Sequence, residues 1–214
     1  MAEKRATSVV EEAKLVQLIV FHVGDEELCV PIEAVQEIVR TGPITPIPDS
    51  PEFVQGLINV RGEIVATINL RARFFFPTEN VEPKHIVITR QEDSLFGILV
   101  DEVTEVLRIP QTDIKAPHKL MTTIHEDYVS GVVPIEKRLI IVLDLARVLS
   151  TEELGRLSEI TRKHREREDV EPLASEAKTQ EDIPSDVVGA LAQKASVKQS
   201  KSKKPLMREG RSNK

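Results

Sequence analysis

The chain has 214 residues, 40% hydrophobic and 30% charged, a balance that suits a water-compatible globular protein with room for one large or two small domains. A net charge of −6, an aromatic content of 3% and no tryptophan argue against non-specific nucleic-acid binding and base stacking. No apolar run is long enough to cross a bilayer, and Met1 to Ser8 leads into Val-Val-Glu-Glu rather than an apolar signal core, so the protein is expected in the cytoplasm.

Residues 1–14 are polar and predict a flexible N-terminus. From Leu15 the pattern changes to strand, turn, strand, with Gly24-Asp25 as punctuation and Leu28 to Ile32 as the second run. The single cysteine, Cys29, lies in that run, where a buried, inert thiol is expected. Glu33 to Val39 reads as one helical turn leading into a strand. Pro43, Pro46, Pro48 and Pro51 then demand a loop.

The loop delivers the chain to Gly56 to Leu70, two β-branched runs around Arg61-Gly62-Glu63, which is a hairpin signature. Arg61 stands at its apex, either as a solvated turn residue or as a guanidinium held out for a partner carboxylate, and spacing leaves both open. Phe74 to Phe76 is too apolar for water and predicts burial in a core or an interface. Further strands follow at Lys84 to Thr89, Leu95 to Val100 and Thr104 to Ile109. After a proline-bounded loop to Asp127, a last hairpin joins Tyr128 to Pro134 with Leu139 to Leu143.

The chain repeats itself. Val30 to Arg40 resembles Ile98 to Arg108, Phe53 to Gly56 matches Tyr128 to Gly131, and Ile64 to Leu70 matches Leu139 to Leu145, at offsets of roughly 70 to 75 positions. Each copy supplies about five short strands, and strands this short close on themselves to remove exposed edges. The predicted fold is therefore mainly β, two five-stranded barrels side by side, with a single two-sheet sandwich as the alternative.

Chemistry is sparse. No phosphate cradle, dinucleotide fingerprint or nucleophile elbow occurs, which leaves no catalytic or cofactor-binding candidate. His118 and His125, near Glu126 and Asp127, lack the spacing that puts two imidazoles on one helix face, so a solvated loop is expected there rather than a metal site. An enzyme would need converging polar groups in a cleft, and a nucleic-acid-binding barrel would need a basic stripe with exposed aromatics.

Gly24 to Glu27, Val35 to Ile38, Ile44 to Pro48, Phe53 to Gly62, Asn69-Leu70, Gly97 to Val103, Tyr128 to Gly131 and Leu143 to Leu145, in that order and spacing, make residues 15–150 resemble the CheW family of chemotaxis coupling proteins. The resemblance implies SH3-like barrels and a non-catalytic adaptor between the cytoplasmic tip of a chemoreceptor and the regulatory domain of a CheA-type histidine kinase. Non-flagellar chemosensory pathways use the same adaptor, and contact with a membrane is expected only through receptor arrays. The family's receptor-binding positions fall on Val35, Glu37, Gly56 and Arg61; the kinase-binding positions fall on Ile86, Val87, Gly97 and Gly131. Packing explains Val35, a solvated charge explains Glu37, and barrel core explains the second set equally well. Pairing of Glu37 with Arg61 is one way to hold the guanidinium. Substitutions in the second set are expected to abolish assembly without unfolding the protein.

Toward the C-terminus, Leu149, Leu154, Leu157 and Ile160 recur at helical spacing behind Ser150-Thr-Glu-Glu, which predicts a helix over 151–168 packed on the barrels. Residues 169–214 mix prolines, lysines and acids and predict a disordered polar tail with a solvated basic end. Val187, Val188 and Leu191 are its candidates for a short partner-binding helix.

Overall fold

Runs of Val, Ile and Leu make ten strands in the computed structural model, which describes residues 14–78, 82–91, 94–117, 124–168 and 183–202. They are β1 (Leu15–Val23), β2 (Glu26–Pro31), β3 (Val35–Arg40), β4 (Val54–Val60), β5 (Glu63–Asn69), β6 (His85–Gln91), β7 (Ser94–Val100), β8 (Glu102–Pro110), β9 (Val129–Ile135) and β10 (Arg138–Leu143). Tight turns need residues that tolerate positive φ, and the connections supply them at Gly24 (67°), at Arg61 (52°) with Gly62 (85°), and at Glu136 (51°).

The two five-stranded sheets do not coincide with the two sequence copies. One runs β8-β1-β2-β10-β9 and the other β3-β6-β7-β5-β4. The first two strands of each copy thus pair with the last three of the other. Parallel contacts close the exchange, Val142 beside Cys29 in one sheet and Ile68 beside Ile98 in the other. Both sheets have the same order once each strand is replaced by its repeat partner, so the duplication survives in the fold as a mutual swap.

Each sheet curls onto its own apolar filling. Val39, Ile58, Val60, Val65, Ile86, Ile88 and Leu99 form one interior, with side chains from all five strands including both edges. Leu18, Val20, Cys29, Val133, Ile140 and Val142, with Leu107 and Ile109, form the other. A third, larger cluster, containing Ile19, Phe21, Val35, Val87, Phe96 and Ile98, takes the opposite faces of these strands and joins the barrels. Two-sided burial explains why β1 and β6 read as nearly continuous apolar runs instead of alternating ones. Burial also pushes the Cys29 thiol up to about 12, which keeps it from ionising.

Between the barrels, the part-buried guanidinium of Arg71 grips the Asp101 carboxylate through Nε (3.1 Å) and a terminal nitrogen (2.6 Å). The same carboxylate accepts the Gly24 N–H at 2.7 Å, so one acid ties together the first turn of one barrel and the end of the other.

Short helices follow the last strand of each copy. Asn69 caps α1 (Leu70–Arg73) and Asp144, its repeat counterpart, caps α2 (Leu145–Val148). The predicted helix over 151–168 is α3 (Thr151–Glu168). Its start is a reciprocal box, in which Glu153 N–H donates to Ser150 Oγ (3.2 Å) and Ser150 N–H donates to the Glu153 carboxylate (2.8 Å). That carboxylate also holds Arg73 through two bonds of 3.1 Å, and the guanidinium lies 4.3 Å from the centre of the Phe53 ring.

Two expectations are refined. Phe74 is buried and Phe76 packs edge-on against it, but Phe75 is 92% exposed on this chain and takes no part in the core. The chain leaves α1 with Phe75 at a φ of 60°, while Phe76 N–H donates to Arg71 O, and this end structure turns the middle ring outward. The tail predicted over 169–214 contains an ordered helix, α4 (Ser185–Ser202). Average composition conceals it because only one side, Val187, Ala190 and Leu191, meets the core. Residues 1–13, 169–182 and 203–214 of the predicted flexible ends, and His118, lie outside the described residues.

Candidate docking site

The β4–β5 hairpin ends in a turn whose two central residues, Arg61 and Gly62, both take positive φ. Asn59 Oδ1 accepts the Gly62 N–H at 2.8 Å and stiffens the tip. Arg61 is therefore presented on a rigid base. Its guanidinium lies 3.0 Å from the Glu37 carboxylate on β3, joining the two edge strands of the barrel. Arg61 is 67% exposed while Glu37 is only 17% exposed, so the acid anchors the cation and leaves most of its donors facing outward.

Of the four predicted receptor positions, the structure brings Glu37 and Arg61 together at the surface and places the other two inside. Val35 is fully buried in the cluster between the barrels. Gly56 is a point of close approach, with a φ of 147° and a position for Cβ that falls 2.7 Å from Ile44 Cγ2 and closer still to the Thr45 carbonyl. Thr45 and Leu57 exchange backbone hydrogen bonds of 2.8 and 2.7 Å at this crossing. Gly131 is its repeat counterpart: Lys115 crosses there, bonded to Val132, and a Cβ would lie 3.0 Å from Lys115 O and against Ile114 Cγ2.

The predicted kinase positions are interior as well. Ile86 fills a barrel, Val87 faces the inter-barrel cluster, and a Cβ at Gly97 would stand 2.6 Å from Ile86 Cγ2. Side chains added at Gly97 or Gly131 meet the protein's own core before any partner. The expectation that such substitutions spare the fold is therefore corrected, because the apolar surface around these glycines is already occupied.

Sequence reasoning missed α4 as a neighbour of the hairpin. Val188, Leu191, Ala192 and Ala195 line an open groove of about 660 Å³ whose other side is Gln36, Glu37, Ile38, Val60, Arg61 and Glu63. The available signal was the spacing of Val187, Ala190, Leu191 and Lys194, three and four positions apart. Among the described residues, no group of three or more His, Cys, Asp or Glu side chains is placed to share a metal ion, and no helix is long and apolar enough to cross a membrane.

The family profile described as a CheW-like domain matches residues 17–153, which contain both barrels. The chain belongs to the CheW-like family. Its relatives include chemotaxis protein CheW of Treponema pallidum, 35% identical over 149 residues that cover 67% of this chain and 88% of the relative. Chemotaxis protein CheW of Rhizobium meliloti is 36% identical over 138 residues, covering 64% and 89% respectively. The crystal structure of scaffolding protein TtCheW from Thermoanaerobacter tengcongensis matches with a TM-score of 0.60 and 30% identity, over 67% of this chain and 94% of that one. As a CheW-like protein the chain is a non-catalytic chemotaxis scaffold that couples receptors to the CheA kinase. The matched region ends before α4 begins.

Proposed function

We propose that this CheW-like chain works in the cytoplasm and seats the cytoplasmic tip of a chemoreceptor on the face formed by β3 and the β4–β5 turn, with Arg61 as the charged contact. The observation that supports this reading is the asymmetric pair, in which a mostly covered Glu37 orients a mostly exposed Arg61 on a stiff hairpin tip. Gly56 serves the same face indirectly by letting the Ile44-Thr45 segment cross β4. The regulatory domain of the CheA-type kinase takes a separate seat, for which Ile86, Val87, Gly97 and Gly131 shape the strands from within and do not themselves touch the partner.

The test mixes purified protein with a soluble receptor cytoplasmic fragment and the kinase, and measures complex formation and autophosphorylation with wild type and Arg61→Glu. Arg61 is largely exposed, so losing the pair costs about 1 kcal/mol of folding stability, and the glutamate that replaces Arg61 can turn away from Glu37 into solvent. The variant is expected to stay folded, lose receptor binding and retain kinase binding. Wild-type protein that neither associates nor alters kinase output refutes the proposal.

A further inference from the structure

Helix α4 is fastened to the protein at the border of the face just described. The Lys194 ammonium donates to the carbonyls of Ile32 (2.7 Å), Glu33 (2.9 Å) and Val35, the three residues around the turn that leads into β3. Asp186 accepts the Val106 N–H at 3.0 Å, meeting a backbone donor on the edge strand β8. Val187 is fully buried between these two anchors. One side of the helix is thus spent on holding it in place. An adjoining side, with Ala192 and Ala195 exposed, looks across the open groove toward Arg61.

We propose that α4 is the second wall of the receptor seat, and that the groove takes an amphipathic α-helix of the receptor tip lying between α4 and the hairpin. This inference rests on the docking reading above and adds the shape and chemistry of the occupant. Ala192 and Ala195 are one turn apart and carry only methyl groups, which lets a second helix approach at the 8–10 Å axis separation typical of packed helices, about what small side chains permit. Val188 and Leu191 supply the apolar strip that such a helix would cover. Charge selects the flanks: the exposed Arg61 calls for a carboxylate on the incoming helix, and Glu63 calls for a basic or amide group beside it. A partner of this kind contacts α4 and the family's barrel face together.

The experiment measures affinity of the full chain for the soluble receptor fragment by titration calorimetry, with Ala192→Trp, Ala195→Trp, Arg61→Glu and, as a control on the exposed side of α3, Lys163→Trp. The two groove tryptophans point into open space, so thermal midpoints and kinase binding are expected to match wild type. Receptor affinity is expected to fall at least about tenfold for both, equivalent to about 1.4 kcal/mol, and to hold for the control. If both bind as wild type or tighter while Arg61→Glu weakens binding, the seat lacks α4 and the inference is overturned with the docking reading intact. A wild type that fails to bind the receptor fragment removes the docking reading itself, and this one with it. A wild-type dimer in sedimentation that Ala192→Trp dissolves identifies a second copy as the occupant, which also overturns the proposal.

Discussion

Gly56→Ala and Gly62→Ala change the same hairpin by the same methyl group, yet their surroundings assign them different costs. At Gly62, with a φ of 85°, a Cβ meets nothing within 4 Å, so the penalty is backbone conformation alone, about 1–2 kcal/mol. At Gly56 the φ of 147° carries a comparable or larger conformational penalty, roughly 1–3 kcal/mol. The added Cβ there also drives into the Thr45 carbonyl and comes within 2.7 Å of Ile44 Cγ2. Relief requires the crossing segment to lift from β4, which breaks the two Thr45–Leu57 backbone bonds of 2.8 and 2.7 Å. At about 1 kcal/mol net for each bond, Gly56→Ala loses about 3–5 kcal/mol in all, a large share of an ordinary domain's stability. Urea unfolding followed by circular dichroism, with midpoint and slope fitted separately, reads the difference directly. The reasoning is refuted if Gly56→Ala is less than about 1 kcal/mol worse than Gly62→Ala, since the steric contribution would then be absent. The pair also separates two routes to lost receptor binding: Gly56→Ala acts through the folded fraction, Arg61→Glu through the contact itself.

Asp101→Ala leaves the part-buried Arg71 guanidinium, which keeps its bond to Pro77 O, and the Gly24 N–H without their shared acceptor, and should cost roughly 1–3 kcal/mol in the same urea assay. Burial raises the Glu153 carboxyl, but bonds from the Ser150 backbone and hydroxyl and the nearby Arg73 outweigh it and hold the group below its ordinary range. The unfolded chain therefore takes up this proton first; the contribution is whole above about pH 4.3 and is lost as pH falls through the folded-state value. Glu153→Gln should show a shallower acid limb in stability against pH than wild type. His85 is 2% exposed, and burial, then Arg40 and Lys84, hold its imidazole below the usual range against the opposing pull of Glu102. Below about pH 6.5 the unfolded chain binds the proton that the folded chain refuses, so stability falls as pH drops. His85→Leu should remove that part of the slope when unfolding is measured at pH 7.5 and 5.5.

Much of this architecture was legible in the residues themselves. Gly24-Asp25 and Arg61-Gly62 announced their turns, Ser150-Thr-Glu-Glu announced the start of α3, and Asn69 and Asp144 stand at matching helix caps. The Glu37–Arg61 pairing was suggested only by the family resemblance, which singled out both residues, since spacing along the chain names no acid for the apical arginine. What misled was treating small or apolar residues as surface. Gly97 and Gly131 carry no side chain to report which way they face, and both turn out to admit core atoms into the space that a Cβ would need. Val87 belongs to a strand covered on both sides, where period-two alternation no longer separates inside from outside, and Val35 is the buried first residue of an edge strand whose next residue, Gln36, is exposed. Phe75 stays out of the core, turned outward by the dihedral that ends α1.

By itself the sequence determined the strands, their tight turns and the helix starts, since each depends on neighbours only a few positions away, and it showed the duplication, which is a likeness of residues and needs no fold to be seen. Tertiary structure alone decided that the copies exchange their leading strands. Equivalent strands in the two copies carry the same apolar pattern, so pairing within a copy and pairing across copies satisfy the local chemistry alike, and only closure of both barrels around a common core distinguishes them. It likewise decided where α4 comes to rest, because the three carbonyls that receive Lys194 exist as a cluster only after β3 and the turn before it have folded.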